Sequence, residues 1–516
     1  MKLSALIEAV QPLQVIPGAA AETDPEIERI CYRSDRVGRD AVFVAIKGAS
    51  ADGHSYAADA AGRGAAAVVA EKPVEIDAPV ILVEDARRAM AIMADAVYGA
   101  PSSRLTLIGI TGTNGKTTTA CLLEHILKES GFKTGVIGTI DSHFGNTVMA
   151  GTLTTPEAPD LQATLVQMAD AGATHVIMEV SSHGIVQNRI LGCRFDVGVF
   201  TNLSQDHLDF HGNMDAYREA KTAFFTGYMN SRSTAVINCD SEEGIRLAGR
   251  LKKGKTLFLG TGAVSGRGGG GDLAYDLGAE NLFFDEAGVS GRMVLPSGRI
   301  DFHSPLVGRF NLENILCAAG AAYALGADPA SMRNAIETFA AVPGRLEKVE
   351  NASSRHVFVD YSHTPEALEN VLGALRGIVP GRLICIFGCG GDRDRGKRPQ
   401  MGEIAAALAD LAIVTSDNPR TEHPDAIIAD ILAGVRRTGS TEIERGRLDS
   451  RFENGSYTVV PDRSSAIDLG IGLSRPGDGV LIAGKGHETY QIIGRKTIDF
   501  DDRVHAKTAL AQYGMN

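Results

Sequence analysis

Apolar residues along this chain fall into two kinds of run. The first kind is nearly continuous: Ala41–Ile46, Ala66–Ala70 and Val80–Val83 early on, then Leu105–Ile110, His175–Val180, Asp196–Thr201 and Thr234–Asn238. His356–Asp360, Leu383–Phe387, Ala412–Thr415 and Gly479–Ala483 continue the series in the last third. Runs without alternation are what strands buried on both faces show. The second kind has helical spacing. Ala120, Leu122, Leu123, Ile126 and Leu127 line one segment that stops at Gly131, and Leu368, Val371, Leu372 and Leu375 follow Thr364-Pro365, a helix start. Alternation of the two predicts an α/β chain built from βαβ units, hence parallel sheets. The pattern breaks at Gly99–Ser103 and restarts after Val342-Pro343-Gly344-Arg345, which divides the chain into domains 1–101, 102–342 and 343–516. A length of 516 residues agrees, being too long for one core and enough for about three domains. The glycine-rich stretch Ser265–Gly271 reads as a surface loop without a catalytic role.

Composition narrows the function classes. The net charge is −12 and no basic block occurs, which argues against a nucleic-acid groove or an anionic membrane as partner. Seven scattered cysteines, none in a CxxC pair, predict a reduced chain without a zinc site. Met1-Lys2-Leu3-Ser4-Ala5 opens no signal-peptide core, and no apolar stretch approaches membrane-spanning length, so a cytoplasmic protein is expected.

The most specific chemistry follows the run Leu105–Ile110. Thr111-Gly112-Thr113-Asn114-Gly115-Lys116-Thr117-Thr118 is a glycine-rich turn ending in Lys-Thr between a strand and a helix. Gly112 and Gly115 let backbone N–H groups curl around phosphates, Lys116 reaches the terminal phosphates, and Thr117 can ligate Mg²⁺. The phosphates then sit on a helix N-terminus. The second block is therefore a P-loop ATPase-like parallel sheet with nucleotide bound at its edge.

Further polar residues cluster where strands end. Glu179 precedes Ser181-Ser182-His183, a position suited to Mg²⁺ coordination. His207, in Thr201-Asn202-Leu203-Ser204-Gln205-Asp206-His207, fits either a second metal ligand or an orienting residue. Lys221, at the start of a helix, reads from the residues alone as a surface lysine with no role. In the third block, a doubly wound Rossmann-like sheet, ligand residues belong at the carboxyl ends of the strands. There stand Gly388–Arg398 with Arg393, then Asp417-Asn418-Pro419-Arg420, then Gly484-Lys485-Gly486-His487-Glu488. Carboxylate, amide and guanidinium groups together suit an amino-acid zwitterion. An amino-acid pocket facing a nucleotide implies ATP-driven bond formation.

These strings resemble the Mur ligases of peptidoglycan synthesis. The likeness rests on Thr-Gly-Thr-Asn-Gly-Lys-Thr-Thr, Glu-Val-Ser-Ser-His-Gly, Gly-Arg-Phe-Asn-Leu-Glu-Asn, Pro-Gly-Arg-Leu-Glu, Asp-Tyr-Ser-His-Thr-Pro-Glu, Gly-Gly-Asp-Arg-Asp, Asp-Asn-Pro-Arg and Gly-Lys-Gly-His-Glu. It covers nearly the whole chain and points to members that add diaminopimelate. The resemblance implies that Asn311, Arg345, Asp360 and His363 join Gly112–Thr118 in holding ATP, and that Lys116, His207 and Lys221 serve catalysis. Thr117, Glu179 and His207 would hold Mg²⁺ with Lys221 as its carbamate. Ser34, Thr154, Thr155, Ser181, Gln187 and Arg189 would hold the UDP-muramoyl dipeptide. Arg393, Asp417, Asn418, Pro419, Arg420, Gly484 and Glu488 would hold diaminopimelate. The expected partners are these small molecules only, and the expected state is a monomer. The first block departs from the family pattern: where Asp-Ser-Arg is usual, Arg33-Ser34-Asp35 exchanges the flanking charges. The rival readings of the sequence are a folylpolyglutamate synthase, a lysine-adding relative and a P-loop regulator. Arg420 disfavours the first two, and the second sheet disfavours the third.

Overall fold

Three large sheets follow one another along the chain, with a two-stranded pair, Tyr490–Ile493 and Lys496–Asp499, near its end, in this computed structural model, which describes residues 1–18, 24–48, 51–149, 153–251, 254–261, 275–449, 452 and 454–513. The reading of 265–271 as a surface loop lies outside the described residues. The N-terminal sheet has five strands in the order Gln14–Ile16, Val80–Leu82, Ala67–Ala70, Ala41–Val44, Arg29–Cys31, parallel except for the first pair.

The middle sheet has 11 strands. At its centre Thr106–Thr111 lies between His175–Glu179 and Phe195–Phe200, parallel to both. Thr134–Ile137 continues the parallel sheet on one side, and Met229–Asn238, Lys255–Gly260 and Leu277–Asp285 continue it on the other. Both edges are antiparallel, a difference from the purely parallel expectation. Leu277–Asp285, Gly288–Leu295 and Gly298–Ser304 form a meander joined by turns at Glu286-Ala287 and Pro296-Ser297, and Ser142–Phe144 with Thr147–Met149 forms a hairpin. Connections this short permit only antiparallel pairing.

The C-terminal sheet has seven strands, with His356–Asp360, Gly479–Ala483, Leu383–Phe387, Leu411–Val414 and Ser456–Val459 parallel in that order. Both faces are covered. Val357 and Val359 join one buried cluster and Phe358 the other, while in the middle sheet Ile108 and Ile110 face one cluster and Leu107 the other. This explains why the strands read as continuous apolar runs. The helix Pro365–Ile378 forms as expected: Thr364 Oγ1 accepts from Ala367 N at 3.2 Å, and Leu368, Val371, Leu372 and Leu375 are all buried. All seven cysteines are free. Among the described residues no helix is long and apolar enough to cross a membrane.

Candidate active site

The glycine-rich turn leaves the central strand of the middle sheet and enters the helix Lys116–Glu129. Gly112 and Gly115 are forced by close approach. A Cβ on Gly112 would lie 1.9 Å from Thr201 Oγ1, and one on Gly115, at φ +83°, would lie 2.2 Å from Asn314 Oδ1. Thr113 N and Asn114 N donate to the backbone and side-chain oxygens of Asn202 at 3.0 and 2.9 Å, which fixes the loop against the neighbouring strand end. Gly115 supplies no side-chain cap, and Lys116, Thr117 and Thr118 of the first helical turn line a cavity of about 370 Å³. First-turn N–H groups lack intrahelical acceptors, so this end of the helix suits an anion. Lys116 Nζ lies 2.9 Å from Gly112 O and 2.8 Å from Thr113 O, and burial lowers its pKa.

Glu179, at the end of the adjacent strand, is buried and organises one wall. Its carboxylate accepts from Thr117 Oγ1 at 3.1 Å, from Thr139 N at 2.9 Å and from Thr139 Oγ1 at 2.9 Å. Thr139 Oγ1 lies 3.1 Å from Thr154 Oγ1. Thr155 Oγ1 donates to Glu179 O at 2.8 Å and lies 3.0 Å from Ser181 Oγ. Arg189 then donates to Thr155 O at 2.9 Å and to Gln187 Oε1 at 2.6 Å. Thr154, Thr155, Ser181, Gln187 and Arg189 thus form one continuous network running out from Glu179. Ser34 is separate, on a short turn of the N-terminal sheet, where the exchanged charges Arg33 and Asp35 pair with each other at 2.7 Å.

Lys221 requires a correction to the surface-lysine reading. The helix Met214–Gly227 turns Tyr217, Ala220, Lys221, Phe224 and Phe225 inward, and Lys221 is 2 % exposed. Its Nζ donates to Gly112 O at 2.7 Å and lies 4.7 Å from the centre of the Tyr217 ring. Burial, then the nearby Lys116 cation, holds its pKa well below the usual lysine value. The signal was its i+4 spacing from Tyr217 and its place three residues before Phe224, a buried face rather than a solvated one. His207 lines the same cavity, with its imidazole pushed down to about 3 chiefly by burial.

The C-terminal sheet closes the cavity. Arg345 donates from Nη2 to Thr117 Oγ1 at 3.0 Å and stacks 4.5 Å from the Tyr361 ring centre. Asp360, at a strand end, accepts from Leu346 N at 2.6 Å and Ser362 N at 2.8 Å. Asn114 Nδ2 reaches Glu366 Oε2 at 3.0 Å. Asn311 lines the opposite wall and accepts from Asn314 Nδ2 at 3.1 Å. His363 Nε2 stands 3.7 Å from Asp206. Sequence reasoning left Asp206, Tyr217, Glu313, Tyr361 and Glu366 without roles, although all five line the cavity.

A second constellation lies at neighbouring strand ends of the C-terminal sheet, apart from that cavity. Asn418 Nδ2 donates to Glu488 Oε2 at 2.8 Å. The fully buried Lys485 Nζ sits 3.2 Å from Asn418 Oδ1, 2.9 Å from Glu488 Oε2 and 3.7 Å from Asp417 Oδ1. Lys485 stood unassigned inside its motif, and it neutralises part of this carboxylate pair. Arg420 Nη1 donates to Gly391 O at 2.8 Å, and a Cβ on Gly391 would lie 1.9 Å from Pro419 O, so the two loops are in tight contact. Gly484, at φ +118°, follows its strand beside Asp417. Arg393 Nη1 donates to Asp392 O at 2.8 Å.

Among the described residues no group of three or more His, Cys, Asp or Glu could hold a metal. Thr117 and Glu179, a hydroxyl and a carboxylate 3.1 Å apart, are the hard oxygen donors that Mg²⁺ prefers.

Three segments match the Mur ligase family. Residues 26–98 match the family's catalytic domain, 110–322 its middle domain and 344–486 its glutamate ligase domain. The chain is 45% identical over 519 residues to the UDP-N-acetylmuramoyl-L-alanyl-D-glutamate–2,6-diaminopimelate ligase of Geobacter metallireducens, covering 99% of each. It is 43% identical to the ligase of the same name from Geobacillus kaustophilus, covering 100% of each. A solved structure of a ligase of that name is 32% identical and covers 98% of both chains, with a TM-score of 0.64. Folylpolyglutamate synthase from Mycobacterium tuberculosis shares the fold at 18% identity, covering 82% of this chain and 94% of its own, with a TM-score of 0.61.

Proposed function

The chain belongs to the Mur ligase family, and we infer that it is the ATP-dependent ligase that joins meso-diaminopimelate to UDP-N-acetylmuramoyl-L-alanyl-D-glutamate during peptidoglycan precursor synthesis. One observation carries the reading: a P-loop at one strand end and an Asp-Asn-Pro-Arg constellation at another belong to sheets that meet across a single cavity. The boundaries 1–101, 102–342 and 343–516 divide the work into UDP-substrate, ATP and amino-acid domains. This reading takes the enzyme as a cytoplasmic monomer whose partners are its small-molecule substrates.

Gly112–Thr118 hold the ATP phosphates, with Asn311, Arg345, Asp360 and His363 around the rest of the nucleotide. Thr154, Thr155, Ser181, Gln187 and Arg189, with Ser34, hold the UDP-muramoyl dipeptide. The γ-carboxylate of its D-glutamate attacks the γ-phosphorus, ADP leaves, and an acyl phosphate forms. Lys116 brings a cation to the transferring group where negative charge is redistributed. Arg393, Asp417, Asn418, Pro419, Arg420, Gly484 and Glu488 orient diaminopimelate. Its amine attacks the acyl carbon and loses a proton, and phosphate leaves as the amide forms. Thr117, Glu179, His207 and carbamylated Lys221 would hold Mg²⁺, which when bound neutralises phosphate oxygens. The depressed pKa of Lys221 favours the neutral amine, which adds to CO₂ and releases a proton.

An end-point reaction tests this reading. ATP, the UDP-muramoyl dipeptide and meso-diaminopimelate together should give the UDP-muramoyl tripeptide by mass spectrometry, with one phosphate per amide. No tripeptide in the complete mixture would refute it.

A further inference from the structure

A buried charge pair joins the middle and C-terminal sheets beside the cavity. Lys397 opens the helix Lys397–Leu408, at the end of the loop that carries Arg393. Its Nζ reaches Asp206 Oδ1 of the middle sheet at 3.3 Å, with side chains 7% and 6% exposed. Asp206 also accepts from His207 N at 2.9 Å, and its Oδ2 stands 3.4 Å from His207 Nε2 and 3.7 Å from His363 Nε2. Lesser contacts flank the pair: Gln205 Nε2 donates to Asp394 Oδ2 at 3.3 Å, and Gln400 Nε2 donates to Gln205 Oε1 at 3.2 Å.

The next residue makes this crossing informative. Arg398 is fully buried and ties the loop to its own sheet, with Nη2 2.7 Å from Glu422, Nη1 2.9 Å from Asp430, and Nη2 3.2 Å from Gly390 O. A loop so anchored cannot adjust independently of its sheet, so the Lys397–Asp206 distance sets where the loop, and Arg393 on it, stands relative to the segment that carries Ser204 and Asp206, which Thr113 Oγ1 ties to the phosphate loop. Buried pairs contribute little net stability and are best accounted for as devices that fix register.

We propose that Lys397 is a positioning residue: its ion pair with Asp206 latches the amino-acid loop Gly388–Arg398 over the phosphate loop, so that the amine meets the acyl phosphate before water does. The proposal rests on the functional reading above. Asp206 faces His207 and His363, which are already assigned to the reaction, so the substitution is made at Lys397 and not at Asp206.

The test compares full-length wild type with Lys397→Met on ATP, the UDP-muramoyl dipeptide and meso-diaminopimelate. A misplacement of about 1 Å at a reacting centre costs on the order of a hundredfold, so amide formation should fall about a hundredfold while the KM for ATP stays within about threefold. Phosphate released per amide should rise above one, because water adds to the exposed acyl phosphate, expels phosphate and regenerates the γ-carboxylate. If the Met variant unfolds, Lys397→Gln, which keeps a hydrogen-bond donor but no charge, is read by the same criteria. A folded variant with an unchanged rate and one phosphate per amide overturns the latch. So does a lower rate with unchanged KM values and one phosphate per amide, the pattern of a smaller active fraction. Wild type that makes no amide from these substrates overturns the functional reading, and the latch with it.

Discussion

Arg420 should decide which amino acid this enzyme accepts. Diaminopimelate is lysine with a second carboxylate at the far end of its side chain, and a guanidinium fork matches that group. Arg420→Ala removes two things. The bond from Nη1 to Gly391 O at 2.8 Å is a neutral-acceptor contact worth about 1 kcal/mol, and its loss loosens the loop for any amino acid alike. The proposed pairing with the distal carboxylate would be a charged, desolvated contact, whose truncation costs about 2–5 kcal/mol. At 1.4 kcal/mol per tenfold, that is roughly thirty-fold to several thousand-fold in kcat/KM for meso-diaminopimelate. L-Lysine, which lacks the second carboxylate, should lose only the loop contribution, about fivefold. The backbone at Arg420 has φ +51°, which alanine adopts no worse than arginine, so the fold should hold. Steady-state kinetics with both amino acids, on wild type and variant, measures the ratio. Equal losses for the two would show that Arg420 only props the Gly391 loop, and the substrate assignment would lose its selector.

Other outcomes follow from the same geometry. Lys116→Ala should lower ATP-dependent turnover by about 10²–10³ with little change in unfolding midpoint, since one electrostatic contact to the transferring group is lost; a variant that unfolds instead makes Lys116 structural. Lys221→Ala should lose most activity, with partial recovery in small carboxylic acids that refill the anionic oxygen; full activity without rescue refutes the carbamate. Burial pushes Glu313 up to about 7, from an ordinary value of 4.5. The unfolded chain has then released that proton while the folded chain keeps it, so this group lowers stability as pH rises from about 4.5 to 7 and contributes a constant penalty above. Glu313→Gln, retaining an acceptor for Asn238, should therefore be the more stable protein at pH 8 by up to about 3 kcal/mol in urea titrations. Identical pH dependence in the two proteins would contradict it.

Much of this molecule is legible along the chain because its sheets are buried on both faces. His356–Asp360, Leu383–Phe387 and Gly479–Ala483 occupy the residues their apolar runs indicate. The meander Leu277–Ser304 is not legible that way, since its strands carry exposed residues such as Phe283 and Phe284 and glycines that blur any period. The phosphate turn was readable because its chemistry is local, within one strand–turn–helix. Lys221 was not, because its burial depends on a helix packing under Gly112, 109 residues away. Asp206 and Lys397 are more distant still, 191 residues apart, and neither residue's own neighbourhood announces the other. Side chains that act between sheets leave little local pattern.

The central claim is that the γ-carboxylate becomes an acyl phosphate before the amide forms, and oxygen transfer tests it most directly. UDP-muramoyl dipeptide carrying ¹⁸O in the γ-carboxylate of D-glutamate is turned over with ATP and meso-diaminopimelate, and the released phosphate is analysed by mass spectrometry. The carboxylate oxygen that attacks phosphorus leaves with it, so each phosphate should carry one ¹⁸O and appear only when diaminopimelate is consumed. Unlabelled phosphate accompanying tripeptide formation would contradict the account.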